Sequence, residues 1–140
     1  MSFHLSRARP LGLGPHLVLA LHRPVDVRWE RAGHDAATAS QANALAAALQ
    51  SLGAATKAAW ATGVPEEALA NATPYLQAFG HVVIAWMWLD VALAAAGRTD
   101  DAALGRRAAM RYFFAYELPK IGAWLAVVAA REPVCKDMQE

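Results

Sequence analysis

The chain has 140 residues, a formal net charge of +1 and 18% charged residues, so it lacks the basic stripe that a nucleic-acid-binding protein needs. This length normally makes one domain with a single core. An apolar fraction of 56%, rich in alanine, predicts an all-α fold. The single cysteine, Cys135, excludes an internal disulfide and predicts a cytoplasmic, reducing compartment.

The first 36 residues differ in composition from the rest. They hold four of the five histidines and three of the seven prolines, and no helical period continues through them. We therefore predict an irregular leader over residues 1–36, a helical bundle over residues 37–132 and a polar tail over residues 133–140.

The first long helix is predicted over residues 38–62. Asp35, Thr38 or Ser40 can cap its start, and Gly63 supplies a left-handed residue to end it. The apolar residues between these limits recur at helical spacing on one face of an alanine-rich helix.

The second long helix is predicted over residues 65–96. Pro65 suits a first helical turn, and the acidic pair that follows it suits the positive end of the helix dipole. Pro74 removes one hydrogen bond, so we expect a kink or short break at Thr73-Pro74. Gly97 ends this helix.

A third long helix begins at Thr99-Asp100-Asp101, where a capping hydroxyl precedes acidic residues. Leu118-Pro119 is expected to kink it. The residues beyond the kink have i, i+3, i+4, i+7 apolar spacing up to Arg131, before Pro133. The sequence thus predicts an antiparallel bundle of three long helices, two of them kinked by proline.

The middle helix is apolar on every side, which predicts burial on every side. Two apolar stripes run along it. A single three-helix bundle is too small to cover all of its aromatic side chains, so we expect a partner protein chain. Asp90 near the centre argues against a membrane span. One stripe comprises Tyr75, Phe79, Val82, Val83, Trp86 and Leu93, and the other Ile84, Ala85, Trp88, Ala92 and Ala95. The structural or interface candidates are Trp86, Trp88, Asp90, Arg111, Phe113 and Trp124.

The ionisable residues inside the helices favour structural roles. Asp90 is predicted to pair with Arg107 or Arg111, because a buried charge is generally paired. His81 and Asp90 lie about 180° apart around the helix and cannot pair on it. Glu117, just before the Pro119 kink, can form a polar pocket with Arg111 or Tyr112.

No catalytic, cofactor-binding or metal-binding residues are predicted. The chain has no Gly-x-Ser-x-Gly elbow, no Gly-x-Gly-x-x-Gly after a strand, and no Asp/Glu/His cluster at metal-ligand spacing.

Three segments carry a family resemblance. They are ALANATPYLQAFG over residues 68–80, Val82-Val83 with Trp86, and Arg111-Tyr112-Phe113 leading to Leu118-Pro119. In order and spacing they resemble the C-terminal helical domain of acyl-CoA dehydrogenases, in the long-chain and methylmercaptopropionyl-CoA branch. Two residues depart from that pattern. Val64 stands where the family usually has a polar capping residue before the proline, and Asp90 lies in a stretch that the family keeps mostly apolar or basic.

This resemblance implies a detached or truncated C-terminal domain of an FAD-dependent enzyme of fatty acid metabolism. The catalytic body, with the flavin site and the proton-abstracting carboxylate, would be elsewhere. The implied role is packing and oligomerisation, with a second copy or a catalytic body as the partner, no nucleic acid, and no cofactor or catalysis in this chain alone. The alternatives are a free-standing module that binds an acyl or other apolar ligand in a cavity lined by Trp86, Phe113 and Trp124, and a membrane-surface helix protein.

Overall fold

The computed structural model describes residues 36–138, so the predicted leader, apart from Ala36, lies outside the described residues. Every regular element in this range is helical, as the sequence predicted. The polar tail contains one short helix. In chain order the elements are α1 (Ala39–Ala59), α2 (Pro65–Leu69), α3 (Ala72–Ala94), α4 (Asp101–Tyr112), a π-helical turn (Phe113–Glu117), a 3₁₀ turn (Leu118–Lys120), α5 (Ile121–Ala130) and α6 (Val134–Asp137).

Three long helical stretches form the bundle: α1, α3, and the run from α4 through α5. Helix α1 packs against α3 and α5, and α3 packs against α4 and α5. Because the connections are short, successive stretches run antiparallel. The predicted bundle of three long helices is confirmed.

The core is built largely from alanine. Ala78, Ala85 and Ala92 lie seven residues apart along α3 and are 0–2% exposed, which lets neighbouring helices approach closely. A hydrogen bond links α3 to α1 beside this face: the Tyr75 hydroxyl lies 3.0 Å from the Thr56 hydroxyl. The larger buried core residues are Leu45, Leu52, Val82, Leu89, Met110, Phe114, Leu118, Ile121, Leu125 and Val128.

Residues in the left-handed region follow α1, α3 and α5, but α1 and α3 end at Ala59 and Ala94, three and two residues before the predicted ends. Gly63 follows α1 with φ +70°, and Gly97 follows α3 with φ +76°, a backbone conformation that favours glycine. Helix α5 ends at Arg131, which adopts φ 53°. There Glu132 N donates to Val127 O at 3.4 Å and Arg131 N to Val128 O at 3.1 Å, the two hydrogen bonds of a Schellman motif.

The predicted break near Thr73-Pro74 is wrong in position. The chain leaves helical geometry at Asn71, and Pro74 lies in the first turn of α3. A first-turn residue has no intrahelical acceptor for its N–H, so proline costs nothing there. Asn71 lies at the break; it is 6% exposed, and its Nδ2 donates to Glu132 O at 3.0 Å.

Two of the predicted helix caps also differ from the structure. Helix α4 is capped by Asp100, not by Thr99, and its carboxylate accepts from Ala103 N at 3.1 Å. Thr38 occupies the N-cap position of α1 but makes no side-chain capping bond. Val64, before Pro65, likewise supplies no capping bond to α2.

The kink predicted at Leu118-Pro119 is present, but it begins earlier. The helix widens into a π turn at Phe113 and then tightens into a 3₁₀ turn at Leu118. Proline lacks an N–H and its ring clashes with the carbonyl four residues back, here Ala115. The π turn moves that carbonyl aside, so the irregularity starts a full turn before the proline.

Candidate functional site

Helix α3 meets the π turn at a group of residues that we call the His81 cluster: His81, Phe113, Glu117, Lys120 and Trp124. Lys120 Nζ donates to Glu117 Oε2 at 2.6 Å, and His81 Nε2 lies 3.8 Å from the same oxygen. The side chains of His81 and Glu117 are 24% and 28% exposed. The cluster therefore joins α3 to the turn that leads into α5.

Aromatic contacts fix the His81 ring. Its centroid lies 4.8 Å from that of Trp124, edge to face at 72°, and 5.9 Å from that of Phe113. Nδ1 lies 3.0 Å from Gln77 O, and a carbonyl only accepts, so Nδ1 carries a proton in this contact. Nε2 is thereby left facing Glu117.

Glu117 acts as a fixed negative charge. The hydrogen bond from Lys120 lowers the pKa of its carboxyl, and the positive charges of Lys120 and of protonated His81 lower that pKa further. The carboxyl is therefore ionised at neutral pH and cannot serve as a general acid there. The arrangement anchors two elements to each other rather than presenting a reactive group.

The Glu117 partners predicted from the sequence were wrong. Arg111 and Tyr112 lie before the π turn, and that turn reorients everything after it. Tyr112 stacks on Tyr116, with the ring centroids 4.8 Å apart, and Arg111 is exposed. Glu117 contacts Lys120 and His81 instead.

Arg107 closes the C-terminal end of α3. Its guanidinium donates to the C-cap carbonyl Ala95 O at 3.0 Å, which the end of a helix leaves open. It also donates to Arg98 O at 2.8 Å in the loop that follows. Asp90 is half-buried. Its predicted ion pair with Arg107 or Arg111 stays a prediction.

The aromatic candidates are all half-buried. Trp86, Trp88, Phe113 and Trp124 pack against the core. Of these, Phe113 and Trp124 come together, on either side of His81. Trp86 follows His81 by five residues and so projects about 140° away from it around α3. The structure does not gather Trp86 with the other two rings around His81.

The solvent-exposed apolar surface of α3 is aliphatic. Four residues on the side away from the core form what we call the outer stripe: Leu76, Ile84, Met87 and Val91, with exposed fractions of 64%, 42%, 58% and 37%. Ile84 belongs to the second of the two stripes predicted from the sequence, whereas Leu76, Met87 and Val91 belong to neither. Because α3 is apolar all round, no periodicity distinguishes these four residues in the sequence.

A second polar group lies at the end of the bundle where α2 begins and α5 finishes. Thr62 Oγ1 donates to Glu67 Oε2 at 2.7 Å, and Arg131 and Lys136 each approach the Glu67 carboxylate to 3.8 Å. They line an open cleft of about 360 Å³. The Thr62 hydrogen bond and the two cations lower the pKa of Glu67. This group could not be predicted from the sequence, because its members are up to 74 residues apart.

Neither polar group resembles a metal centre. Within residues 36–138, His, Cys, Asp and Glu side chains form no group of three or more that could hold an ion. Cys135 is free and exposed. Each of the two polar groups pairs one carboxylate with cationic or imidazole partners, which is typical of contacts between helices.

Two helical stretches are long and apolar enough to cross a membrane by length and composition: Ala72–Ala94 and Asp101–Ala130. The buried share is 28% for the most apolar window of each. The first contains Asp90, and the second contains Arg107, Glu117 and Lys120. Glu117 and Lys120 lie near the middle of the second stretch, where charged side chains would be costly in a bilayer, whereas Asp90 lies only four residues from the end of the first.

Comparison with known proteins identifies the family to which the chain belongs. No curated protein and no solved structure matches the chain. One family model, described as acetyl-CoA dehydrogenase C-terminal like, matches residues 23–139. The matched region extends into both the predicted leader and the predicted polar tail, beyond the bundle boundaries drawn from the sequence. Over most of its length, therefore, the chain belongs to the acetyl-CoA dehydrogenase C-terminal like family.

Proposed function

We propose that this chain is the C-terminal helical domain of an FAD-dependent acyl-CoA dehydrogenase and acts by packing against other protein surfaces. The family match over residues 23–139 carries this proposal. The parent activity would be acyl-CoA oxidation in fatty acid metabolism in the cytoplasm, in the branch that the sequence resembles. The flavin site and the catalytic base would belong to a separate catalytic body.

The chemistry of the described residues supports a packing role. The His81 cluster commits its carboxylate, ammonium and imidazole to one another. The Glu67 group does the same beside the end of α5. The outer stripe, in contrast, presents large aliphatic side chains with no polar partner. A surface of this kind favours association with another protein.

Two properties of the purified full-length chain test the proposal. The chain should be colourless, without flavin absorbance, and should not oxidise acyl-CoA with an artificial electron acceptor. It should bind a flavin-containing acyl-CoA dehydrogenase body from which the C-terminal helical domain has been removed. The same enzyme with its own helical domain in place is the control and should not bind, because its docking surface is already covered.

Three results would contradict the proposal. Stoichiometric bound flavin would place cofactor binding in this chain. Co-purified lipid or fatty acyl ligand, detected by mass spectrometry, would favour the acyl-binding module instead. Equal binding to the truncated and the intact enzyme would remove the basis for a docking role.

A further inference from the structure

None of the four residues of the outer stripe is charged. Gly80 and Val83 lie between them on the outward side of α3, and Asp90 flanks the stripe, about 20° around the helix from Val83. The distance from Leu76 to Val91 along the axis is about 22 Å at 1.5 Å per residue. When the stripe faces a reversed copy of itself, the two Asp90 residues lie about 20 Å apart along the axis, so they do not repel each other closely.

The stripe is complementary to itself when it is reversed. With a two-fold axis between Val83 and Ile84, antiparallel copies of α3 place Leu76 opposite Val91 of the second copy. In the same register Met87 faces Gly80, and Ile84 faces Val83. Each facing pair then has one larger and one smaller side chain, so the two helix surfaces can interdigitate.

Gly80 fits this register. Glycine weakens the interior of a helix relative to alanine, and the bundle does not require it, because a Cβ built at Gly80 meets nothing within 4 Å. Gly80 lies about 20° around the helix from Met87, at the centre of the outward side. It leaves a notch in the surface where the 58%-exposed Met87 side chain of another copy fits.

We propose that α3 forms a two-fold, antiparallel contact with α3 of a second copy of this chain, centred between Val83 and Ile84 with Met87 over Gly80. The inference rests on the proposed packing role and specifies one surface and one partner for it. A contact through one pair of helices of this length falls at the small end of protein interfaces, about 1,200 Å² or less in total. The dimer is therefore expected to dissociate at micromolar concentrations.

Substitutions at Gly80 distinguish an effect on folding of the subunit from an effect on association of two copies. A Cβ at Gly80 meets nothing within 4 Å, so Gly80→Leu should not lower the midpoint of urea unfolding. In the dimer it fills the notch and should weaken association by about tenfold or more by sedimentation velocity. The double variant Gly80→Met with Met87→Gly exchanges knob and notch and should restore association.

Matched controls lie on another exposed apolar surface. Leu104 is 50% exposed on α4, and Leu104→Glu should leave association unchanged, whereas Met87→Glu should abolish it. Equal weakening by both variants would overturn the proposal, because it would mean that association is not specific to the outer stripe. Unchanged association of Gly80→Leu would overturn the register.

Cysteine pairs test the direction of the contact. In a Cys135→Ser background, Leu76→Cys and Val91→Cys proteins should form a disulfide with each other when mixed. Neither should cross-link with itself, because identical positions at the ends of the stripe lie about 22 Å apart in an antiparallel pair. Self-linking of each variant would indicate a parallel contact and would contradict the proposal.

Two further measurements separate this inference from the proposed function. If Met87→Glu is monomeric but still binds the truncated dehydrogenase body, both stand and use different surfaces. If the wild-type chain is monomeric and binds that body, the packing role stands and the α3 dimer is wrong. Co-sedimentation with phosphatidylcholine vesicles that Met87→Glu abolishes would assign the stripe to a lipid surface and overturn the dimer.

Discussion

The two sides of α3 have similar apolar compositions and opposite environments. On the inner side Ala78 and Ala85 are 0% exposed and Leu89 is 3% exposed, whereas on the outer side Leu76 is 64% and Met87 58% exposed. Folding of one subunit explains the inner side, because burial removes that apolar area from water. It does not explain the outer side. A helix with two apolar faces in a three-helix bundle therefore carries information about a partner as well as about its own core.

The largest effect is expected from truncating the inner side. Leu89→Ala should lower the free energy of unfolding by about 2–5 kcal/mol, because it removes buried methyl groups and leaves a cavity. Met87→Ala, two residues away on the outer side, should change it by less than about 0.5 kcal/mol at concentrations where the chain is monomeric. Urea unfolding of the two variants checks this. Equal losses would erase the distinction between the two sides.

Enlarging the inner side should destabilise the subunit as well. Ala85 is 0% exposed at the centre of α3, and Ala85→Leu should cost about 1–3 kcal/mol by overpacking the contacts with α1 and α5. Val91→Leu, on the outer stripe, is the matched enlargement and should be neutral in the monomer. Thermal unfolding monitored by circular dichroism distinguishes them. A neutral Ala85→Leu would mean that the helices are less closely packed than the structure indicates.

A smaller, opposite effect is expected at Gly80. Gly80→Ala should raise the free energy of unfolding of the monomer by about 0.5–1 kcal/mol, since the helix loses a flexible residue and the new methyl group meets nothing. Ala85→Gly on the inner side should lower the same quantity. Urea midpoints measured at low protein concentration give both values. A destabilising Gly80→Ala would reveal an intrachain contact above the glycine.

The smallest effect is expected at the flank between the two sides, in the His81 cluster. The pKa of Glu117 is lowered in the folded chain. Its contribution to stability is therefore present above the unfolded pKa of about 4.3 and is lost as the pH falls through the lower folded value. Glu117→Gln should flatten the acid limb of a stability–pH curve, and Lys120→Met should shift it to higher pH. An unchanged limb in both variants would contradict the electrostatic role of the cluster.

The sequence alone predicted those features of the fold that depend on the backbone geometry of a single residue. Gly63 and Gly97 marked helix ends, Pro65 marked a start and Pro119 a kink, because each acts through its own backbone geometry. Other features depend on residues far apart in the chain. Asn71, at the break before α3, bonds the carbonyl of Glu132, 61 positions away, and Glu117 ends a π turn that the sequence did not predict. A helix that is apolar all round also has no periodicity that tells its inner side from its outer side.

Sedimentation equilibrium of the full chain, from nanomolar to high micromolar concentrations, shows whether the outer stripe pairs with itself. We expect a reversible monomer–dimer equilibrium, with a dimer fraction that rises through the micromolar range and is lost in Met87→Glu. A single monomer mass at every concentration would mean that the outer stripe of α3 does not pair with itself.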